Sequence, residues 1–301
     1  MFRLTSVLLL SLGFCKAQSR TVALTFDDLP IAAGGDAVEA RKVNDAILSV
    51  LAKHQAVATA FVNDQTVQRI GTSEGRGIMR RWVDQGNELG NHTFSHPDLN
   101  EITVEQFKDE VIRGEASIVQ LSAGKRPQYL RFPFNHTGDT KEKHDAVAMF
   151  LHDRGYTVAT CTIDNSDYEY ARAYNLMLQR DDREAAKKLR VEYLTFTAAE
   201  IDYYTNLNKT VFGREIPHVM LLHANRLNAD VLDQILTLFV ERRFTFVTLS
   251  QAQSDEAYRT PDAFLSKFGP MWGYRWAKEL GVQVNGRLEP EPAEWVLKYG
   301  S

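Results

Sequence analysis

The chain has 301 residues, of which 44% are hydrophobic and 25% are charged, and its formal net charge is −4. This composition is that of a globular protein, and the length suits a single α/β barrel. The chain has no basic field, which argues against nucleic acid as its main partner and against tight nonspecific binding to an anionic cell surface.

The first 17 residues have the pattern of a secretory signal peptide. Arg3 is followed by an apolar run over residues 7–14, and Cys15 and Ala17 are the small residues of a cleavage site. We predict cleavage after Ala17 and a secreted or periplasmic protein. A lipoprotein would carry its lipid on Cys15, but Phe14 is too bulky for the position before it. No later run approaches the ~18 apolar residues of a spanning helix, so no stable membrane anchor is expected.

Two cysteines are too few for a disulfide framework. Once Cys15 leaves with the signal peptide, Cys161 stands alone in an apolar run. We predict that it is a buried, inert thiol.

From there the sequence alternates between β-rich runs and amphipathic stretches of helical period. The predicted strands are residues 21–26, 57–61, 88–91, 129–131, 156–163, 219–223 and 244–249. The clearest helical stretches are residues 37–53, 104–121 and 229–242. This alternation predicts parallel strands with crossover helices, in a distorted (β/α)7-type barrel. A doubly wound open sheet has the same local pattern.

Two segments depart from this alternation. Residues 168–217 predict a helical insert of two helices on or beside the mouth of the barrel. Residues 250–301 form a C-terminal tail with three tryptophans, which we expect to wrap the outside. We find no linker or repeat, so we predict one domain over residues 18–301.

Polar side chains stand where successive predicted strands end. They are Asp27 and Asp28, His92 and His96, Arg131, Asp164 and Asp167, and His223. The carboxyl ends of parallel barrel strands share one face, so the fold should gather these side chains in one pocket.

His92 and His96 are four residues apart, a spacing that would direct both imidazoles the same way on one helical turn. Two imidazoles and one carboxylate make a three-ligand site with open positions. This donor set is expected of catalytic zinc or a similar divalent ion.

Each of these residues also has a plain structural interpretation. The Asp27–Asp28 pair could cap a helix, as could Asp164 or Asp167, and His223 could be a core residue. Their joint occurrence at successive strand ends favours a functional site.

The five segments together resemble the motifs of the polysaccharide deacetylase family (NodB homology domain, carbohydrate esterase family 4). They are TFDD at residues 25–28, HTFSH at 92–96, RFPF at 131–134, DNSDY at 164–168 and LLH at 221–223. The resemblance covers roughly residues 20–250. It implies metal-dependent removal of N-acetyl groups from amino-sugar polymers or oligosaccharides of the peptidoglycan or chitin type.

The resemblance also implies a role for each motif residue. Asp28, His92 and His96 would hold the metal, most simply Zn²⁺, with Co²⁺ or Ni²⁺ fitting the same donors. Asp27 would be the general base, paired with Arg131. His223 would be the general acid, supported by Asp167 or, less favourably, Asp164.

Three further residues are expected to contact the acetylated glycan: Phe134, Tyr168 and Asp164. The backbone N–H near Phe134 would help to stabilise the oxyanion. Tyr168 stands where the family commonly has Trp, and Ala224-Asn225 follow His223 where an Asp is frequent. With the long insert, these departures put the substrate in question. The alternatives are an O-acetyl esterase or small-amide hydrolase on the same fold, and a non-catalytic carbohydrate-binding protein.

Overall fold

In a computed structural model, residues 20–300 are described. They contain a seven-stranded sheet in which every pairing is parallel. The strands are β1 (Arg20–Leu29), β2 (Ala58–Val62), β3 (Glu88–Asn91), β4 (Tyr129–Leu130), β5 (Thr157–Val158), β6 (His218–His223) and β7 (Phe244–Val247). The predicted signal peptide lies outside the described residues.

The strands run in the order β5-β4-β3-β2-β1-β6, and β7 pairs with the first half of β1. After β5, a parallel bridge between Ile163 and Met220 joins the chain to β6. The sheet thereby curves into the distorted barrel that the sequence predicts, and the fold class is confirmed. The inner strands are buried on both faces, which is why they are apolar runs without alternation.

Helices surround this sheet. They are α1 (Ala37–Lys53), α2 (Asp64–Arg69), α3 (Thr72–Asp84), α4 (Val104–Gly114), α5 (Ala116–Leu121), α6 (Lys141–Asp153), α7 (Asp167–Gln179), α8 (Arg183–Phe212), α9 (Arg226–Glu241), α10 (Leu249–Gln253), α11 (Trp272–Glu279) and α12 (Glu294–Gly300). Within residues 20–300, none of these helices has the length and apolar character needed to cross a membrane.

The predicted helix over residues 104–121 is two helices. A capping box begins α4, since Thr103 and Gln106 each accept a hydrogen bond from the other's backbone N–H. The helix ends at Gly114, where an added Cβ would lie 2.7 Å from the backbone carbon of Thr93. The glycine therefore lets α4 approach the loop that follows β3.

The predicted fifth strand is too long. Only residues 157–158 pair as a strand, because the chain then leaves the ladder and the N–H of Thr160 donates to the side chain of Gln253 (3.1 Å). The expectation that the tail lies merely outside is also wrong. Trp272 and Trp276 are buried in the main hydrophobic core.

Candidate metal centre and active-site pocket

A cavity of about 460 Å³ opens at the carboxyl ends of the strands. Eight of the ten predicted site residues line it: Asp27, Asp28, His92, His96, Phe134, Asp164, Tyr168 and His223. The other two, Arg131 and Asp167, are fully buried and each is hydrogen-bonded to a residue that lines the cavity. The barrel thus gathers residues that are up to about 200 positions apart in the chain.

Asp28, His92 and His96 form a candidate metal site. One ligand atom from each lies within 4.8 Å of the others, and the Nε2 atoms of both histidines are 3.7 Å from Asp28 Oδ1. His92 Nδ1 lies 2.8 Å from the carbonyl oxygen of Arg131. Because a carbonyl only accepts, Nδ1 carries the proton and Nε2 presents a lone pair to the site. The donor set and its orientation fit a divalent metal ion.

Burial, with help from the charge of His96, lowers the pKa of His92 to about 3, while the Asp28 carboxylate opposes this shift. The imidazole is therefore neutral at physiological pH. A metal ligand must be in this form.

The prediction that His92 and His96 share a helical turn is wrong. They lie on an irregular loop in which Thr93 and His96 have φ values of 67° and 61°. The N–H of Thr93 donates to the Asn91 side chain, and the N–H of Phe94 donates to the carbonyl of Glu110 in α4. These external acceptors replace the hydrogen bonds that a helix would make.

Arg131 holds Asp27 from behind. Its Nη1 donates to Asp27 Oδ1 (3.1 Å), its Nη2 to Thr25 Oγ1 (3.1 Å) and its Nε to the carbonyl of Ala159 (2.9 Å). The guanidinium also stacks on Phe61. The other oxygen of Asp27 is 3.7 Å from His92 Nε2, beside the candidate metal site.

Asp167 holds His223 on another wall of the cavity. Asp167 Oδ1 is 2.6 Å from His223 Nδ1, and Oδ2 accepts from the backbone N–H of His223 (2.8 Å). Burial alone would lower the pKa of His223, but the charge and hydrogen bond of Asp167, with the charges of Asp28 and Asp27, raise it to about 10. His223 is therefore an imidazolium at neutral pH.

Asp164 lies in the cavity wall but has no hydrogen bond to His223 among the described contacts. Its Oδ1 accepts from the N–H groups of Asn165 (2.7 Å) and Ser166 (3.0 Å). Burial, reinforced by the charge of Asp167, raises the pKa of Asp164 to about 6. Of the two carboxylates considered for the support of His223, Asp167 is the one in contact.

Residues 15–173 match the sequence model of the polysaccharide deacetylases. The chain belongs to the polysaccharide deacetylase family. A chitin deacetylase of Arthroderma benhamiae is 30% identical over 151 residues, which are 50% of this chain and 36% of that protein. The peptidoglycan-N-acetylmuramic acid deacetylase PdaC of Bacillus subtilis is 27% identical over 243 residues, which are 80% of this chain and 40% of that protein. The chain therefore matches less than half the length of either relative.

Solved structures of the family share the fold. The structure of B. subtilis PdaC has a TM-score of 0.52 at 23% identity, covering 80% of this chain and 93% of that one. A carbohydrate esterase family 4 pseudoenzyme from Bacillus anthracis has a TM-score of 0.53 at 16% identity, covering 78% and 65%. Since these neighbours include both a deacetylase and a pseudoenzyme, the function has to be argued from the site.

Two aromatic rings of this deacetylase-family pocket stand at its mouth. The Phe134 ring lies edge-on to His96, with 4.6 Å between centroids, and the Tyr168 ring lies 6.3 Å from His223. Both side chains are 55% exposed. They offer apolar surface on two sides of the polar centre.

The cavity lining includes residues that the sequence did not indicate, among them Asn135, His136, Gly269 and Met271. His136 forms a second His–Asp pair, since its Nδ1 is 2.8 Å from Asp98 Oδ1. Its closeness to Phe134 in sequence could have suggested it. Gly269 and Met271 come from the C-terminal tail and carry no sequence signal.

Cys161 is fully buried beneath the site. Burial raises the pKa of its thiol to about 12. This protonated thiol is no nucleophile, which agrees with the inert role predicted from its apolar surroundings.

Proposed function

We propose that this chain is a metal-dependent hydrolase that removes N-acetyl groups from amino-sugar polymers or oligosaccharides of the peptidoglycan or chitin type. The observation that carries the proposal is that one cavity has an aspartate–arginine pair on one side and a histidine–aspartate pair on another. Asp27 is bonded to Arg131 beside the candidate metal site, and Asp167 is bonded to His223 on another wall. Relatives named as chitin and peptidoglycan deacetylases support the substrate class.

Asp28, His92 and His96 would hold the metal, with zinc as the first candidate and cobalt or nickel suited to the same donors. When bound, a divalent ion lowers the pKa of water towards ~7 and polarises a carbonyl oxygen. The neutral imidazole of His92 is in the form that this role requires.

The proton transfers belong to the chain itself. Asp27 takes a proton from the attacking water as the oxygen of that water forms a bond to the acetyl carbon. Arg131 keeps Asp27 oriented and compensates its charge. His223 then donates its Nε2 proton to the amide nitrogen, the C–N bond breaks, and acetate and the free amine leave. The N–H of Phe134 supports the negative charge on the former carbonyl oxygen.

The His223–Asp167 pair favours amide over ester substrates. An amine is a poor leaving group unless it is protonated, and the carboxylate of Asp167 keeps the imidazolium available for this step. An O-acetyl ester would need this acid less. A purely glycan-binding role would need neither the base nor the acid, and both are present with their partners.

We also propose that the protein acts outside the cytoplasm, after cleavage near Ala17. Its partner would be an acetylated glycan and not nucleic acid. Phe134, Tyr168 and Asp164 would contact that glycan at the mouth and wall of the cavity, where all three lie.

The proposal is tested by acetate release from a panel of acetylated chito-oligosaccharides, peptidoglycan and O-acetylated xylan. We expect release from the N-acetylated substrates, loss of release after chelation, and recovery on adding Zn²⁺, Co²⁺ or Ni²⁺. Activity that survives in metal-free protein would refute the mechanism. Release from acetyl xylan alone would favour the esterase.

Two neighbouring variants separate base from ligand in the same assay. Asp28→Asn should lower metal content and activity together, because it removes a metal ligand. Asp27→Asn should keep the metal, and its rate of acetate release should be about 10²–10⁴-fold lower, because it removes the base. Metal content is measured by elemental analysis, and an Asp27→Asn protein without metal would show that the two roles are not separate.

A further inference from the structure

The tail of the chain reaches the catalytic pocket through the turn at residues 133–137, called here the Phe134 turn. Phe134 and Asn135 both have left-handed backbone conformations, with φ values of 57° and 55°. Residues other than glycine rarely adopt this backbone conformation. Two such residues in a row persist only where neighbouring structure holds them. Several segments of the chain contact the turn, and residues 269–275 of the tail are among them.

Arg275 of α11 contacts the turn through two hydrogen bonds. Its side chain is buried, with the residue 2% exposed. Nη2 donates to the carbonyl oxygen of Asn135, and Nη1 donates to the hydroxyl of Thr137 (2.9 Å). One guanidinium thus binds both the backbone and a side chain of the Phe134 turn.

The same guanidinium is fixed within its own segment. Nη1 also donates to Asp262 Oδ2 (3.0 Å), Nε donates to the carbonyl of Pro270 (3.0 Å), and the group stacks over Trp272 at 4.0 Å from the ring centroid. The planar fork of arginine can satisfy these acceptors together, whereas a lysine ammonium cannot. The arginine is therefore a rigid link between the tail and the turn.

Gly269 makes a second contact with the turn by direct packing. A Cβ at this position would lie 1.9 Å from the carbonyl oxygen of Phe134 and 2.9 Å from Asn135 Cβ. Since the clash is with backbone, no side chain fits here without moving the turn. The tail is thus pressed against the turn at the point where Phe134 faces the pocket.

We propose that Arg275 and Gly269 are positioning residues that set the place of Phe134, and with it the wall of the pocket beside His96. The Phe134 ring packs edge-on to His96, while Asn135, Gly269 and Met271 complete that wall. The positioning rests on these contacts alone; its effect on turnover rests on the deacetylase activity proposed above. The active site of this chain therefore includes a segment that lies beyond the residues matched by the family model.

The decisive variant is Arg275→Lys, which keeps the positive charge and loses the fork. The N–H groups of Asn135 and His136 donate to the carbonyls of Phe132 and Pro133 (both 3.1 Å), so amide hydrogen exchange reports opening of the turn. We expect exchange in the peptide covering residues 133–137 to become faster. On a soluble acetylated chito-oligosaccharide, kcat should fall about 10–100-fold with KM changed less, because a displacement of ~1 Å at a reacting centre has effects of this size. Metal content should stay at the wild-type level.

Three further variants distinguish a local effect on the turn from a general loss of folding. Gly269→Ala should open the turn and lower kcat by a separate route. Thr137→Val removes one acceptor of Arg275 and should give a smaller change in the same direction. Glu279→Gln, at an exposed position of α11, is the matched control and should leave both exchange and kcat unchanged.

The possible outcomes distinguish a failure of the positioning role from a failure of the proposed deacetylase activity. Unchanged exchange at residues 133–137 in folded Arg275→Lys and Gly269→Ala would overturn the positioning role. Faster exchange with unaltered kcat would overturn its effect on catalysis. If the wild-type protein releases no acetate from any substrate while exchange responds as expected, the deacetylase proposal fails and the positioning of the turn stands.

Discussion

Two adjacent aspartates, Asp27 and Asp28, contribute to the same pocket through an irregularity of the backbone. Successive side chains of a regular strand point to opposite faces. Here Asp28 has a φ of 62°, and the register of β1 against β2 shifts between Phe26 and Leu29. Both carboxylates therefore line the cavity. The sequence TFDD shows the two acids but not the bend that lets them act together.

Left-handed residues recur around the pocket. Besides Asp28, they are Ala33, Thr93, His96, Phe134, Asn135 and Ser166. Such conformations are costly for residues other than glycine and concentrate where function fixes the backbone. They mark the loops in which sequence patterns were least informative.

At the residue scale, the support of His223 can be tested through the pH dependence of acetate release. In Asp167→Asn the imidazole loses the anion that raises its pKa. Because His223 must be protonated to act as the acid, the alkaline limb of the kcat profile should move to lower pH by about 1–3 units. The measurement is kcat from pH 6 to pH 11, on the order of one point per half unit.

Asp164→Asn is the matched comparison for this profile. Asp164 is a neighbouring carboxylate that bonds to the backbone of Asn165 and Ser166. Replacing Asp164 should move the alkaline limb of the kcat profile less than replacing Asp167 does. A larger displacement with Asp164→Asn would reverse the assignment of the two acids.

At the scale of elements, the long helix α8 belongs to the core. Its inner face carries Leu189, Tyr193, Ile201 and Tyr204, all buried in the main hydrophobic cluster. The helix packs on α7, α9 and α11, so its role in the fold goes beyond a cover for the pocket mouth. The interpretation of residues 168–217 as an insert in the barrel stays a prediction.

Ile201→Ala measures this contribution. Removing a fully buried isoleucine side chain should lower the free energy of unfolding by about 2–5 kcal/mol, since the cavity is filled only in part. Val191 lies on the same helix and is 62% exposed, so Val191→Ala should change stability by no more than about 0.5 kcal/mol. Urea unfolding monitored by circular dichroism gives both values, and equal effects would contradict the burial of this face.

For the whole molecule, a buried histidine far from the chemistry predicts how stability depends on pH. His218 begins β6 and is 1% exposed, and its Nε2 has no hydrogen-bond partner within residues 20–300. Burial, with a smaller effect from the charge of Arg20, lowers its pKa from 6.5 to about 3. Below pH 6.5 the unfolded chain therefore binds a proton that the folded chain does not.

The free energy of unfolding should accordingly fall as the pH drops from 6.5 towards 3, by at most about 1.4 kcal/mol per unit from this group. In His218→Phe, the free energy of unfolding should change less steeply with pH between pH 6.5 and pH 4, by up to that amount per pH unit. Replacement of the exposed His152 by Gln serves as the control. Parallel slopes for the wild type and His218→Phe would show that this histidine does not contribute.

Much of the architecture could be predicted because it depends on local patterns. Helix α1 lies over residues 37–53 as its apolar periodicity indicates, with Asp36 accepting from the N–H of Glu39 at its start (2.8 Å). Strand β5 could not be bounded in this way. Its apolar run continues after Val158, but a side chain from α10 takes the place of a strand partner.

The sequence by itself determined the alternation of strands and helices, the family, and the order of the polar residues at strand ends, because these depend on residue type and period. Only the tertiary structure decided that His92 and His96 meet on a loop, that Asp167 rather than Asp164 contacts His223, and that the tail reaches the pocket. Those outcomes depend on hydrogen bonds and packing between segments far apart in the chain. No local pattern of residues records such contacts.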